Sequence, residues 1–376
     1  MCPGSVPPPG PESPAALGDP VAPVVPAVPG SPVVLEGSAV LEGSAVLDSS
    51  ERPPFLWRRP VHLFPGQGDF SVSTLAASAR ITPGLRKAAR EVFEQVDTVT
   101  AERGLPRLGP WLLGPEPPSG RALASASTGT SQLALFGASM AVHRALSEAY
   151  GVPSAAVGVS FGELAALTAA GVFTVADGAR AAHDLALALT FCPGALTALA
   201  CPERSARELL EEAGVAGTGA ADVVVAVVND ERSVVVAGPV AALALVEKAA
   251  ADRRVGAVRL RLPFSSHHPA LGHAAGEFAT AVRAYPRSAA RFPVHSAVAG
   301  RRYGPTDDLA ARLADCLVRP ASVPPVLRQV LAYRPGVLFE AGTGSALASS
   351  ARTVLAADLD PAPAVHAPLA EPAFPW

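Results

Sequence analysis

The chain has 376 residues, 49% of them hydrophobic and 17% charged, with a formal net charge of −3 at pH 7. That length holds one large domain or two smaller ones around a sizeable core, while the near-neutral charge gives no electrostatic footprint for nucleic acid and no apolar run approaches the ~18 residues that cross a bilayer. The start of the chain lacks a basic stretch followed by an apolar core, and Cys2, Cys192, Cys201 and Cys316 have neither metal-ligand nor disulfide-framework spacing, so the reading is a cytoplasmic protein with reduced thiols, no bound metal and no membrane.

In chain order, residues 1–58 are crowded with Pro, Gly and Ala and repeat Val-Leu-Glu-Gly-Ser-Ala at 34–39 and 40–45, too few copies for a solenoid; they are expected to form a disordered arm. A short apolar strand is predicted at 61–64, a long helix at 131–150, a buried strand at 155–159 and a helix at 162–170. Within 193–263 the rhythm changes to strand 195–200, helix 203–213, strands 223–228 and 233–237, helix 241–251 and strand 255–260. This β-α-β-β-α-β order is that of a ferredoxin-like unit. Strands at 293–299 and 337–340 then rejoin the larger sheet, and 358–376 reads as a Pro- and Ala-rich tail whose Phe374, Pro375 and Trp376 could fold back on the body. The predicted fold class is therefore α/β: an α/β-hydrolase-like large subdomain, 59–192 and 264–357, with a ferredoxin-like small subdomain, 193–263, inserted into it.

Three segments carry chemistry. Gly158-Val159-Ser160-Phe161-Gly162-Glu163 follows the apolar run Ala155-Ala156-Val157 and leads into a helix, the setting in which a serine on a sharp strand-to-helix turn needs small neighbours. Alone, G-x-S-x-G also describes many buried turns. Upstream lies Leu63-Phe64-Pro65-Gly66-Gln67-Gly68 and downstream Phe264-Ser265-Ser266-His267-His268-Pro269. A serine hydroxyl needs a base that takes its proton and later returns it to the leaving group, and histidine suits both tasks. The N–H of Phe161, just after the serine at a helix start, can serve as an oxyanion donor.

Taken in order, these segments resemble the malonyl-CoA:acyl-carrier-protein transacylase family and the related acyltransferase domains of polyketide synthases, over about residues 61–355. The resemblance implies Ser160 as nucleophile, His267 as base, and the backbone N–H of Gln67 as the second oxyanion donor. It implies that a main-chain carbonyl orients the histidine; by the match of Cys316-Leu317-Val318-Arg319-Pro320 that carbonyl falls to Cys316. His268 occupies the family's usual Ser and, as a neighbour on a turn, points away from His267. Gln132 matches a glutamine near the pocket and Asn229 an asparagine lining the cleft, either of which is equally a structural amide. Val159 stands where the family has His, and Ser266 keeps the serine directly before the base.

Malonyl-type members carry an arginine twenty-five residues beyond the nucleophile, whose guanidinium pairs with the acyl carboxylate. Here that position is Leu185, which gives a carboxylate no partner. The expectation is an acyltransferase that moves an uncharged acyl group, or a larger one whose polar parts lie elsewhere, from acyl-CoA or an acyl-carrier-protein donor to the phosphopantetheine thiol of an acyl carrier protein. No cofactor is bound; the phosphopantetheine thioesters are substrates. Arg253, Arg254, Arg259, Arg261, Arg301 and Arg302 are candidates for a basic rim that meets an acidic carrier protein. The alternatives are a malonyltransferase with a replacement cation, an editing thioesterase that admits water, and a non-catalytic docking protein.

Overall fold

A computed structural model describes residues 58–68 and 72–376. The expected disordered arm lies outside the described residues except for Arg58. The chain enters the large subdomain through β1 (Val61–Phe64), followed by α1 (Ser73–Ile81), α2 (Pro83–Glu102), α3 (Leu108–Leu113), α4 (Gly120–Ala124), α5 (Thr130–Tyr150), β2 (Ala155–Gly158), α6 (Gly162–Ala169) and α7 (Val175–Leu189). The small subdomain is β3 (Ala195–Leu199), α8 (Glu203–Glu212), β4 (Val224–Asp230), β5 (Ser233–Gly238), α9 (Val240–Asp252) and β6 (Ala257–Arg259). The return path runs through α10 (Gly272–Arg283), β7 (Val294–Ser296), β8 (Arg301–Arg302), α11 (Leu309–Val318), β9 (Ala321–Ser322), α12 (Val323–Val330), β10 (Val337–Glu340), α13 (Ala346–Asp358) and β11 (Ala364–His366).

The large sheet has the order β11-β10-β1-β2-β7-β8 and is parallel except for the β7–β8 edge pair. Its central strands, Val-His-Leu-Phe and Ala-Ala-Val-Gly, are buried at every position, as expected of parallel strands covered on both faces. α5 is buried almost throughout its first four turns, which explains why its sequence reads as apolar nearly all round. Gly151, at φ 89°, ends it in a conformation that costs a side chain about 1 kcal/mol or more. Phe64 and Gly158 pair directly, so the loops leaving β1 and β2 emerge side by side at the carboxyl edge of the sheet, where open α/β sheets place ligands.

The small sheet runs β6-β3-β5-β4, antiparallel, with two helices, the ferredoxin-like arrangement predicted. It has its own core, in which Leu209 and Leu210 of α8 and Leu243 and Val246 of α9 meet Val234 and Val236 of β5. A fifth strand was not foreseen: β9, from the chain's return path, pairs parallel to β4 through Val227–Ala321 and Val228–Ser322. Two residues are too short to announce themselves by alternation.

The tail folds back on the body as its Phe374-Pro375-Trp376 end suggested, and it also contributes a strand that was not foreseen. Residues 364–366 add β11 to the large sheet, parallel to β10, and Phe374 is buried against Tyr150, Phe339 and His366, with Trp376 stacked edge-on at its side. Prolines flank this strand without interrupting it, as an edge position allows, so the composition hid a structural element.

Candidate functional site

Ser160 sits on the turn between β2 and α6 at φ 53°, the left-handed region that non-glycine residues rarely occupy. The turn is held by Val159 N–H donating to the Phe64 carbonyl at 3.1 Å, Gly162 N–H to that of Val159 at 3.0 Å and Glu163 N–H to that of Ser160 at 2.8 Å. A Cβ on Gly162 would lie 2.1 Å from the Phe64 oxygen, and one on Gly158 2.6 Å from the Glu163 Cα, so both glycines are imposed by close approach of backbone.

His267 lies at φ 58° in the segment after β6, buried to 2% exposure. Its Nε2 is 2.8 Å from the Ser160 Oγ and its Nδ1 2.7 Å from the Arg319 carbonyl oxygen. A carbonyl only accepts, so Nδ1 carries the proton and Nε2 offers its lone pair to the serine. The orienting carbonyl is thus that of Arg319, not of Cys316. Cys316 lies inside α11, whereas Arg319 is the residue after its end, extended at φ −116° and ψ 145° because Pro320 follows, and its carbonyl is free to turn toward the histidine. Burial lowers the His267 imidazole to about 4, against the raising effect of the Arg319 bond, so the ring is neutral and basic at Nε2 at ordinary pH. His268 takes a different direction: its Nε2 donates to the Asp222 carbonyl at 3.2 Å and its Nδ1 accepts the Ala270 N–H at 3.2 Å.

The N–H groups of Phe161 and Gln67 have no acceptor among the described residues, as donors reserved for an oxyanion would. The Gln67 side chain accepts the Gln132 amide at 2.9 Å, fixing the loop beside Ser160. Behind the elbow, Glu163 is fully buried and accepts hydrogen bonds from Ser296 Oγ at 2.9 Å, Val298 N–H at 3.3 Å and the Tyr303 hydroxyl. Burial pushes its carboxyl from 4.5 up to about 7, despite those three bonds. Between those values the folded protein binds more protons at Glu163 than the unfolded chain, so stability falls as pH rises through this window and is level above it. Glu163→Gln, whose amide oxygen accepts from Ser296 and Val298 while its N–H donates to a turned Tyr303 hydroxyl, is expected to abolish that slope and leave the variant on the order of 3 kcal/mol more stable than wild type at pH 8, with no difference near pH 4; urea titrations across the range check this.

Ser160 and His267 open into a cleft of about 450 Å³ between the two subdomains. Gln67, Val159, Leu185, Asn229 and Ser266 line it, as does Cys316, whose thiol is held well above its ordinary value by burial and by the nearby Glu163. Gln132 does not line the cleft and reaches it only through Gln67. The wall is mostly apolar, with Leu185 and Leu189 of α7, Leu196, Val227, Val235, Leu262 and Phe264. No lysine or arginine is among the described residues that line it; the charged groups are His267, if protonated, and Asp230. Asp230 was not anticipated: it accepts from Ser350 Oγ at 2.7 Å and from Arg232 N–H at 2.9 Å, tying the β4–β5 turn to α13. The Asn-Asp-Glu-Arg turn was legible in sequence, its partner across the cleft was not. Of the suggested rim, Arg253 pairs with Glu208 and Glu212, Arg259 with Glu247 and Arg301 with Asp307, leaving Arg254, Arg261 and Arg302 with no ion-pair partner among the described residues.

Known proteins share this sequence and shape. The orsellinic acid synthase of Emericella nidulans is 30% identical over 246 residues, 64% of this chain and 11% of that protein. The spectinabilin polyketide synthase system protein NorA' of Streptomyces orinoci is 40% identical over 123 residues, 32% of this chain and 3% of that protein. The chain therefore spans only about a tenth or less of the length of these curated relatives. The crystal structure of a malonyl-CoA:acyl carrier protein transacylase from Xanthomonas oryzae pv. oryzae superposes with a TM-score of 0.70 at 26% identity, over 84% of this chain and 96% of that one. The acyl transferase domain family matches residues 43–372, nearly the whole described body with its elbow, its insertion and its returning strands, and the chain belongs to that family.

Proposed function

We propose that this acyltransferase-family protein loads Ser160 with an acyl group that carries no free carboxylate, taken from acyl-CoA or an acyl-carrier-protein thioester, and passes it to the phosphopantetheine thiol of an acyl carrier protein. His267 Nε2 takes the Ser160 proton as Oγ attacks the thioester carbonyl. The Phe161 and Gln67 N–H groups receive the oxyanion, each worth about 3 kcal/mol of barrier. Collapse expels the donor thiolate, which takes the proton from His267. The acceptor thiol then gives its proton to the same nitrogen, attacks the acyl ester and releases Ser160, whose oxygen recovers the proton. Carbonyl-oriented His267 needs no carboxylate third member.

The observation that carries the choice of acyl group is the cleft wall, which offers Leu185 and no lysine or arginine among its described residues. Burying a malonyl carboxylate there without a partner costs several kcal/mol. A carrier protein as acceptor is supported by family membership and by the activity named for the Xanthomonas structure. Arg254, Arg261 and Arg302, exposed and unengaged by carboxylates among the described residues, are the arginines best placed to meet an acidic carrier.

Intact-protein mass spectrometry after incubation with malonyl, acetyl and butanoyl thioesters tests the reading. The expected result is acetyl or butanoyl adducts on wild type, none on Ser160→Ala, and transfer of the adduct to a holo carrier protein. A stable malonyl adduct would overturn the choice of acyl group, and adducts that decay in buffer as fast as with carrier present would make the protein a thioesterase.

A further inference from the structure

We infer that the acyl chain is long enough to pass between Leu189 and Phe264 into a second hollow behind them, and that it carries a neutral hydrogen-bonding group, a hydroxyl or an amide, where it arrives. This rests on the neutral-acyl reading above and adds what that reading leaves open, the chain's length and the chemistry of its far end.

The hollow has a volume of about 190 Å³, and Leu189 and Phe264 belong to its wall as well as to that of the cleft. The partition has one further component: Gln67 faces the cleft, Gln132 the hollow, and their side-chain amides bond to each other at 2.9 Å. Passage turns aside Leu189 and Phe264, both buried, and leaves the Gln67–Gln132 bond that fixes the loop in place; Leu189 is the last residue of α7 and Phe264 lies in the irregular segment after β6, where regular backbone holds a side chain least. Leu185, one helical turn before Leu189 on the same face, continues the apolar path from Ser160 to this partition.

Beyond it the chemistry changes. The hollow is lined by Ser127, Thr128, Ser131 and Thr190 together with Gln132, and no charged residue is among its described lining. Ser131 Oγ donates to the Leu123 carbonyl at 2.7 Å and Thr190 Oγ1 to that of Leu187 at 2.6 Å, so both protons are committed and both oxygens are left as acceptors. They call for an O–H or N–H on the ligand. A carboxylate would meet no cation there, and a bare alkyl end would desolvate these groups without replacing their water. Ala124, Ser127 and Thr128 are exposed, so the hollow opens to solvent and does not cap the chain's length.

The test compares pantetheine thioesters of butanoyl, decanoyl and ω-hydroxydecanoyl groups, reading the rate of Ser160 acylation by intact mass. Wild type is expected to load the ω-hydroxydecanoyl group about tenfold faster than decanoyl, the return on one satisfied hydrogen bond. Ala126→Trp, which narrows the hollow from a half-exposed position, and Thr190→Trp, from the opposite exposed side, should each slow ω-hydroxydecanoyl loading about tenfold and leave butanoyl loading unchanged. Equal losses on butanoyl and ω-hydroxydecanoyl in both variants, or a wild type that accepts butanoyl alone, would overturn the inference and leave the neutral-acyl reading standing. A malonyl adduct on wild type would remove the reading beneath it, whatever the variants do.

Discussion

His267→Asn is expected to slow acylation of Ser160 by about three orders of magnitude, the middle of the range for loss of a positioned general base. Asparagine is the informative replacement because it tolerates the left-handed backbone at φ 58° and can still donate to the Arg319 carbonyl, so geometry survives while the base does not. The loss should fall on kcat and leave KM within about twofold, since the imidazole acts on the transition state rather than on the bound thioester. With the wild-type ring lowered to about 4, acylation needs the neutral imidazole, so its rate should rise with pH through about 4 and stay level to neutrality. Single-turnover acylation measured from pH 3.5 to 8 reports both effects, and a loss smaller than about tenfold would remove His267 from the role of base.

Leu185→Arg is expected to have the second large effect, and on two quantities at once. Leu185 is buried on α7 at the wall of the cleft, so a guanidinium there is a desolvated cation without a partner and should cost about 3–5 kcal/mol of stability. A malonyl group would supply the missing anion through a bidentate pair. The variant should therefore melt lower than wild type, regain part of that loss with malonyl thioester, and form a malonyl adduct on Ser160 that wild type does not. Thermal melts with malonyl and butanoyl thioesters, alongside intact mass, separate the outcomes: equal stabilisation by both would mean that the arginine never meets the acyl group.

The parts of this architecture that repeat over several residues were legible in the sequence. The strand of Ala155 to Gly158, the helix of Thr130 to Tyr150 and the β-α-β-β-α-β insertion all advertise themselves through apolar runs and periodicity. Ser160 and His267 were singled out by a glycine-flanked turn and a Ser- and Pro-rich one, and their pairing was an implication of the family resemblance; the structure places them 2.8 Å apart. What escaped was short or depended on contacts between distant segments. Strand β9 has two residues, and β11 hides among prolines. The Asp230–Ser350 bond joins residues 120 apart in sequence. The orienting carbonyl was misplaced because any residue supplies one; the legible clue was Pro320, which forces its predecessor out of the helix.

Strand β9 also bears on the fate of the acyl ester. It follows directly on the Arg319–Pro320 peptide, pairs with β4 of the small subdomain, and through Ser322 N–H holds the Ala297 carbonyl of the large one at 2.8 Å. The small subdomain is therefore tied to the large one at this seam as well as through its two chain connections. Any motion wide enough to flood the cleft strains this seam, and the seam leads straight to the carbonyl that keeps His267 in its tautomer and orientation. Water let in by such a motion would find an imidazole no longer aligned to activate it. On the proposed mechanism, the same stitch that completes a sheet would couple exposure of an acyl ester on Ser160 to loss of alignment of His267.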